Sequence, residues 1–364
     1  MKPLPCVLSA IAAAVLLCAS PVLACTSILV GREASTDGSV MITYACDGEF
    51  HPHLRYTPAR DHEPGAVYEI RTWSGELLGE VPQPRHTYAV VGLMNEHQLA
   101  IGETTFTGRK ELQNDEGLLH YWTLMRLALQ RAKTAREAID VITGLVGQHG
   151  YRSTGESFSI ADPEEAWILD MIGPGPGGEG AHWVARRVPD DRIAVHANRS
   201  RIGTFPTDDP DSCLYSEHVI DFAIEQGYYD PASGEPFRFN EAYNPATAQK
   251  RRYTATRVWS VLRRVAPRLE LDPAYHRGDP EAKPYPLFVE PEQKLGVADV
   301  MGLMRDHYEG TEYDMTDGID AGPFGSPNRW RPVSFEIEGS TFPWERSIST
   351  QQTGFSFVSQ SRSD

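Results

Sequence analysis

Short runs of Val, Ile and Leu bounded by Gly, Asp and Ser mark the first strands of the chain. Residues 26–31 and 40–44 are two such runs, and a Thr-Asp-Gly-Ser sequence at 36–39 lies between them. These residue types favour a tight turn, so the pattern predicts a hairpin. A second strand pair is predicted at 88–94 and 99–104.

Apolar positions with helical spacing follow. Residues 118–129 are apolar around most of the helix circumference, which predicts a buried helix. Thr134 and Glu137 have the spacing of a capping box, and Gly150 lies where the helix that they open should end.

Strand patterns then resume, and helical patterns return near the end of the chain. The predicted strands are 158–161, 166–172, 183–188, 193–197 and 354–358, and the predicted helices are 255–265 and 297–307. Residues 47–83 mix Pro, Gly, His and aromatic residues without a sustained period, so we expect a long loop with short strands there. Antiparallel turns and separate groups of helices favour an α+β fold over a doubly wound parallel sheet.

Composition and charge narrow the function classes. The chain has 364 residues, with 34 Lys+Arg against 50 Asp+Glu and a formal net charge of −16. Proteins that bind nucleic acid need a basic surface, so we predict no nucleic-acid partner. With 40% hydrophobic and 10% aromatic residues, the chain is not a disordered acidic one either.

Residues 1–24 have the features of a signal peptide. Lys2 supplies a positive charge, residues 7–17 are almost all apolar, and Ala24 ends a small-residue cleavage sequence. The apolar run is shorter than the roughly 20 residues that a membrane helix needs. We therefore expect a secreted or periplasmic domain at 25–364, without stable membrane association unless its first residue is lipidated. The sequence does not indicate an oligomeric state.

Cleavage after Ala24 would make Cys25 the first residue, with a thiol and a free α-amine on the same residue. The reference pKa of an α-amine is about 7.7–8.0, so the amine can accept the thiol proton near neutral pH. The thiolate can then attack an amide carbonyl, and the protonated amine can return the proton to the leaving nitrogen. The sequence predicts a nucleophile that carries its own general base.

Two other interpretations of Cys25 stay open. Residues 22–25 also resemble a bacterial lipobox, in which the cysteine would be lipidated. A strand beginning at Thr26 leaves no flexible tether after such an anchor, and this favours catalysis. The other interpretation is a cysteine that lies beside the cleavage site by chance.

A series of sequence blocks carries a resemblance to a known family. Cys-Thr-Ser-Ile-Leu-Val-Gly at 25–31 is followed by Asp-Gly-Ser at 37–39 and Cys-Asp at 46–47. Further blocks follow in order at 92–96, 100–105, 155–167, 188–191, 197–202 and 349–352. Together they resemble the N-terminal-nucleophile (Ntn) cysteine dipeptidases, which are relatives of penicillin V acylase and bile-salt hydrolase.

The resemblance implies an αββα sandwich of two antiparallel sheets between helical layers. By position, Cys25 matches the nucleophile, and Asp47 matches the carboxylate that holds its amine. Asn198 matches the asparagine whose amide N–H helps to build the oxyanion hole. Tyr44 stands where the superfamily often has an arginine, so another arginine, or the amine alone, would have to activate the thiol.

Arg201 and Glu103 are predicted to be substrate-binding residues. Glu103 lies in the matching block at 100–105, and Arg201 and Arg199 are candidates for binding a substrate carboxylate. Chains of the family usually continue past residue 358, so we also expect a domain that is shortened at its C-terminus.

The resemblance implies a secreted cysteine dipeptidase that hydrolyses short peptides through a thioester, without metal or other cofactor. One alternative is an amidohydrolase of non-peptide acyl amides, and another is an inactive or lipidated surface lipoprotein homologue. A metallopeptidase is disfavoured because His-Glu-x-x-His is absent and the His51 and His53 pair lies in a Pro-rich loop. Cys46 and Cys213 are either single thiols or a disulfide with each other.

Overall fold

Two antiparallel sheets contain most strands of the computed structural model, which describes residues 25–48, 53–319, 321–327, 334–343 and 345–363. The strands are β1 (Ser27–Val30), β2 (Val40–Asp47), β3 (Tyr56–Thr57), β4 (Arg60–Asp61), β5 (Val67–Arg71), β6 (Leu77–Pro82), β7 (His86–Thr87), β8 (Val90–Val91), β9 (Met94–Asn95), β10 (Ala100–Phe106), β11 (Gly155–Ala161), β12 (Ala166–Ile172), β13 (His182–Val188), β14 (Ile193–His196), β15 (Cys213–Tyr215), β16 (Phe288–Val289), β17 (Ser334–Ile337), β18 (Ser340–Pro343) and β19 (Thr353–Ser361).

The helices lie in three main stretches of the described sequence. The α-helices are α1 (Tyr121–Arg131), α2 (Ala135–His149), α3 (Val219–Glu225), α4 (Phe239–Tyr243), α5 (Ala248–Val265), α6 (Ala274–Arg277) and α7 (Val297–Leu303). Single 3-10 turns lie at Lys110–Leu112, Pro231–Ser233, Pro267–Leu269 and Gly322–Phe324. Within the described residues, no helix is both long enough and apolar enough to cross a lipid bilayer.

The five-stranded sheet has the order β16-β14-β1-β2-β19. β1 is its central strand and runs antiparallel to both neighbours, with Ser27 opposite His196 and Leu29 opposite Ile42. All four residues of β1 are buried. The predicted hairpin of β1 and β2 is therefore confirmed, and pairing on both edges fixes the backbone that follows Cys25.

The eight-stranded sheet has the order β15-β13-β12-β11-β10-β9-β8-β3. Its strands β10 to β13 are consecutive antiparallel neighbours, as the tight turns in the sequence predict. β1 and β2 of the first sheet pack against β10, β11 and β12 of this one. The two sheets come close at Gly102, where a Cβ atom would lie 2.9 Å from Tyr44 Cβ. Only glycine allows that approach without a shift of one of the strands.

Helices pack against both sheets. α1 and α2 contact β10, β11 and β12, whereas α5 contacts β14 and α7 contacts β19. The predicted α+β class with antiparallel sheets is confirmed by this arrangement. α2 begins as predicted, because the Thr134 side chain accepts a hydrogen bond of 3.2 Å from the Glu137 N–H.

Two helices differ in length from their predictions. α5 starts at Ala248, seven residues before the predicted start, because Thr247 caps it and its first turns are too polar to show an apolar period. α7 ends at Leu303, four residues before the predicted end. The chain turns there, and the Asp306 carboxylate accepts a bond of 2.8 Å from the Ser260 hydroxyl of α5.

His196 connects the two sheets through its imidazole ring. It is fully buried at the end of β14, with Nδ1 2.7 Å from Thr104 Oγ1 and Nε2 2.7 Å from Ser159 Oγ. Burial, and secondarily the charge of Arg201, lower the pKa of His196 to about 3. The ring is therefore neutral at the pH values at which proteins are usually handled.

We expect the stabilising effect of His196 to depend on pH. Its folded pKa lies below the unfolded value of about 6.5, so the unfolded state binds the proton first as the pH falls. The contribution is complete above pH 6.5, and about 2–3 kcal/mol of it should be lost between pH 7 and pH 4.5. The free energies of unfolding of the wild type and His196→Gln, measured with urea, should therefore converge by that amount between pH 7 and pH 4.5. A difference independent of pH would contradict this account.

Candidate active site

Cys25 lies immediately before the central strand β1, between the end of β2 and the residues that follow β14. Its backbone N donates a hydrogen bond of 3.0 Å to Asn198 Oδ1, and only 2% of the residue is exposed. The next residue, Thr26, bridges to Ala45 of β2, and this register brings the Cys46 side chain opposite Cys25. The predicted nucleophile therefore occupies a fixed, buried position.

Asn198 follows the end of β14 in a left-handed backbone conformation, with φ of 55°. Asn adopts this conformation more readily than most residues, because its short polar side chain can hydrogen-bond locally. Its Nδ2 donates a hydrogen bond of 2.8 Å to the Thr105 carbonyl, while Oδ1 accepts from Cys25. The structure thus brings together Asn198 and Cys25, two of the predicted catalytic residues.

Arg257 was not predicted from the sequence, yet its guanidinium group joins these two residues. Nη1 donates hydrogen bonds of 2.7 Å to the Cys25 carbonyl and 3.0 Å to Thr26 Oγ1, and Nη2 donates one of 3.0 Å to Asn198 Oδ1. Arg257 is fully buried on α5. Burial, and then the charge of Arg346, lower its pKa to about 10, so the group still carries its charge at neutral pH.

A signal for Arg257 does exist in the sequence. It interrupts the buried stretch of α5 that runs from Thr254 to Leu262. An arginine is almost never fully buried unless its donors are paired, so a charge inside an apolar helix stretch indicates a specific role.

Glu103 is the buried carboxylate nearest the thiol. Its Oε1 lies 3.7 Å from Cys25 Sγ and accepts a very short hydrogen bond from the Tyr44 hydroxyl. Tyr44 is fully buried and Glu103 is 1% exposed. The position at which the family resemblance leads one to expect an arginine is thus occupied by a neutral donor to an acid.

Glu156, which also escaped prediction, forms a pair with Glu103. Thr105 Oγ1 lies 3.3 Å from Glu103 Oε2 and 3.0 Å from Glu156 Oε1. Burial and the charge of Glu103 raise the pKa of Glu156 well above its ordinary value. Burial also raises the pKa of Glu103, although hydrogen bonds from its neighbours oppose the rise. The protonated form is therefore favoured more strongly for Glu156 than for Glu103.

The surroundings of Cys25 favour the protonated thiol in this state. A hydrogen bond with Cys46, burial and the negative charge of Glu103 all raise the pKa of the Cys25 thiol. A nucleophilic thiolate needs the opposite effect, a nearby positive charge or a base that takes the proton. Formation of a thiolate therefore depends on groups that this state lacks, namely an α-amine created on Cys25 by cleavage or a group brought by a substrate.

Asp47 lies at the end of β2 and pairs with an arginine from the end of the chain. Its Oδ2 accepts a short hydrogen bond from Arg346 Nη2, and its Oδ1 lies 3.4 Å from Thr353 Oγ1. Burial lowers the pKa of Arg346, but interactions led by the charge of Asp47 outweigh this effect, and the pKa lies above its ordinary value. The negative charge of Asp47 also acts on the Cys25 thiol. The predicted contact of Asp47 with the Cys25 amine stays a prediction.

Arg201 makes its hydrogen bonds outside the cluster around Cys25. Nη1 donates a bond of 2.7 Å to the Val195 carbonyl, and Nη2 donates bonds of 2.9 Å to Tyr285 and 2.6 Å to Pro286. Its side chain lines a pocket beside α5 together with Arg199, and Cys25 is not among the lining residues. The structure thus gives Arg201 a role in joining backbone segments, and its binding of substrate stays a prediction.

The structure also bears on the disulfide and the metal site that the sequence analysis considered. Cys25, Cys46 and Cys213 are all unpaired, so the Cys46–Cys213 disulfide that the sequence left open is not formed. Among the described residues, no three His, Cys, Asp or Glu side chains come close enough together to hold one metal ion. His51 lies outside the described residues, and His53 is exposed.

Comparison with known proteins shows the family to which the chain belongs. The model of Peptidase family C69 matches residues 24–364, and the chain therefore belongs to this family. The relationship to cysteine dipeptidases that the sequence blocks predict is confirmed, and a cysteine-type dipeptidase is the enzyme class that the family supports.

Three relatives illustrate the relationship. A protein named "Probable dipeptidase" from Salmonella dublin is 29% identical, over 86% of this chain and 72% of its own length. A "Probable dipeptidase" from Latilactobacillus sakei is 27% identical, over 80% of this chain and 62% of its own. A "Dipeptidase" from Bifidobacterium longum is 27% identical, over 80% of this chain and 60% of its own. The chain thus matches between 60% and 72% of the length of these relatives.

Proposed function

We propose that this protein is a cysteine dipeptidase whose nucleophile is the Cys25 thiol. The observation that carries the proposal is the 3.0 Å hydrogen bond between Cys25 N and Asn198 Oδ1, at a residue that also presents its thiol to Glu103. Family membership and the names of the relatives support the same activity. We infer that the two packed sheets and their outer helices are an Ntn-type αββα sandwich.

The proposed reaction begins when signal peptidase cuts after Ala24 and the Cys25 backbone N becomes an α-amine. The exported chain then lies outside the cytoplasm, secreted or periplasmic. The amine accepts the thiol proton, and Sγ attacks the carbonyl carbon of the first peptide residue. As the C–N bond breaks, the protonated amine gives its proton to the leaving amino acid. Water then cleaves the thioester and restores the thiol.

Asn198 and Arg257 hold this machinery in position during the reaction. Asn198 is proposed to supply the oxyanion donor, a contribution of about 2.7–4 kcal/mol in hydrolases where such a donor has been removed. Arg257 fixes the carboxamide of Asn198 and the carbonyl of Cys25 with one rigid group. We further propose that Asp47, held by Arg346, orients the new α-amine.

The proposal is tested with the full chain after export and processing. Intact mass should give an unmodified N-terminus at Cys25, and the protein should release both amino acids from L-alanyl-L-alanine. The same preparation is offered penicillin V as a non-peptide acyl amide. Hydrolysis of penicillin V alone would favour the amidohydrolase. A diacylglyceryl group on Cys25, or a chain still carrying residues 1–24, would contradict the mechanism.

A further inference from the structure

A negatively charged carboxyl pair faces the nucleophile from inside the molecule. Glu103 Oε1 is 3.7 Å from Cys25 Sγ, and Glu156 is linked to Glu103 through Thr105 Oγ1. Both carboxyl groups are buried, with 1% of Glu103 and none of Glu156 exposed. Two buried carboxylates this close cannot both ionise at moderate cost, so the pair carries at most one negative charge.

Glu103 is the member of the pair whose contacts favour the ionised form. Glu103 accepts from the hydroxyl of Tyr44 and lies beside the thiol, and both contacts favour its ionised form. Thr105 has one hydroxyl proton for two carboxyl groups, so one carboxyl group must supply the second proton, and Glu156, whose Oε2 has no hydrogen-bond partner among the described residues, is the less stabilised of the two as an anion. The hydrogen bonds described for Glu103 come from neutral donors, and a buried carboxylate of this kind lacks a cationic partner.

We propose that Glu103 binds the α-ammonium group of the substrate's N-terminal residue and thereby restricts the enzyme to peptides with a free N-terminus. This inference rests on the proposed function, because it assumes that a peptide carbonyl reaches Sγ. It adds a reason for exopeptidase specificity: an ammonium group gives Glu103 a cationic partner, whereas its hydrogen bonds in the described part of the chain come from Tyr44, Thr105 and the Cys25 thiol.

The distances fit this assignment. The α-nitrogen of an amino acid lies about 2.5 Å from its own carbonyl carbon, as standard backbone geometry requires. A carbonyl carbon bonded to Sγ therefore has its α-nitrogen within reach of Glu103 Oε1, which is 3.7 Å from Sγ, when that nitrogen points toward the carboxylate. A peptide that can react with the thiol can thus also reach the carboxylate.

The same contact explains how a thiol next to a carboxylate becomes reactive. A hydrogen bond with Cys46, burial and the charge of Glu103 together raise the pKa of the Cys25 thiol in the free protein. A bound ammonium group offsets that charge, so transfer of the thiol proton to the Cys25 amine becomes easier when the correct substrate is present. An N-acylated peptide brings no positive charge and would leave Glu103 buried and unpaired.

Binding without turnover tests this proposal. In the processed full chain carrying Cys25→Ala, the affinities of L-alanyl-L-alanine and N-acetyl-L-alanyl-L-alanine are measured by calorimetry at pH 7. A charge-assisted hydrogen bond should make the free dipeptide bind about 10- to 100-fold more tightly. Adding Glu103→Gln, which keeps the size of the side chain, should remove this preference.

The control is Glu165→Gln in the same background, because Glu165 pairs with Arg136 and Arg187, away from the thiol cluster. The preference for the free dipeptide should persist in this control. Equal affinities for the two peptides in the Cys25→Ala chain would overturn the proposal without any need for the Glu103 variant. A preference that persists in Glu103→Gln would overturn it as well. Hydrolysis by the wild type is scored separately, so tight but uncleaved dipeptide would remove the proposed function and leave the role of Glu103 intact.

Discussion

Replacing Cys25 with alanine is expected to lower kcat for dipeptide hydrolysis by about 10⁴-fold or more, the range seen when a hydrolase loses its nucleophile. The thioester cannot form without Sγ, and no second thiol in the described residues occupies its position between Asn198 and Glu103. Cys25→Ser should also lose most of the rate, because the amine ionises an alcohol less readily than a thiol. Steady-state kinetics on L-alanyl-L-alanine measure both effects.

The matched control for Cys25 is Cys213→Ala. Cys213 is also a buried, unpaired thiol, but it lies on β15 at the edge of the eight-stranded sheet. This variant should keep its kcat and show only the modest loss of stability that follows removal of one buried sulfur. Full activity in Cys25→Ser, or equal losses in Cys25→Ala and Cys213→Ala, would remove Cys25 from the mechanism.

Replacing Arg257 with methionine is expected to reduce both stability and activity. Four oxygens accept from its two Nη atoms, three of them in fully buried contacts, and each buried acceptor left without a donor costs about 1–3 kcal/mol. The loss should appear as a lower urea midpoint, together with a drop in kcat of about 10²-fold or more as Asn198 loses its orientation. Arg257→Lys keeps the charge but not the planar fork, so we expect it to recover the activity only partly.

Arg251→Met is the control on the same helix. Arg251 donates a hydrogen bond of 2.8 Å to the Asp279 carbonyl at the surface. Its loss should therefore change neither kcat nor the urea midpoint by much. If Arg257→Met lost stability but kept the wild-type kcat, the guanidinium would be a structural tie and not a positioning group for Asn198.

The sequence predicts those parts of the molecule whose cause is local. The β1–β2 hairpin, the Thr134 cap and the buried α1 each follow from neighbouring residues, and the structure has all three. The start of α5 could not be predicted, because its first turns are polar and show no apolar period in the sequence. The cap at Thr247 stabilises them instead.

The candidate site divides in the same way. Cys25 and Asn198 could be predicted because one is created by a cleavage sequence and the other belongs to a recognisable block. The contacts of Arg257 and Glu156 could not be predicted, because Arg257 reaches the Cys25 carbonyl, and Glu156 reaches Thr105, only through the tertiary packing of α5 and β11. Tyr44 indicated a missing cation, but the sequence could not reveal that its hydroxyl would instead donate to Glu103.

The bonds around Cys25 change what is expected of a chain end. The first residues of most domains fray, because their backbone makes few contacts and gains entropy by moving. Cys25 is held by Asn198 at its nitrogen and by Arg257 at its carbonyl, directly before a strand that is paired on both edges. In the proposed mature chain, which begins at Cys25, folding therefore already removes the conformational entropy of this residue. Formation of the thioester then need not immobilise the nucleophile, and that part of the entropic barrier is absent.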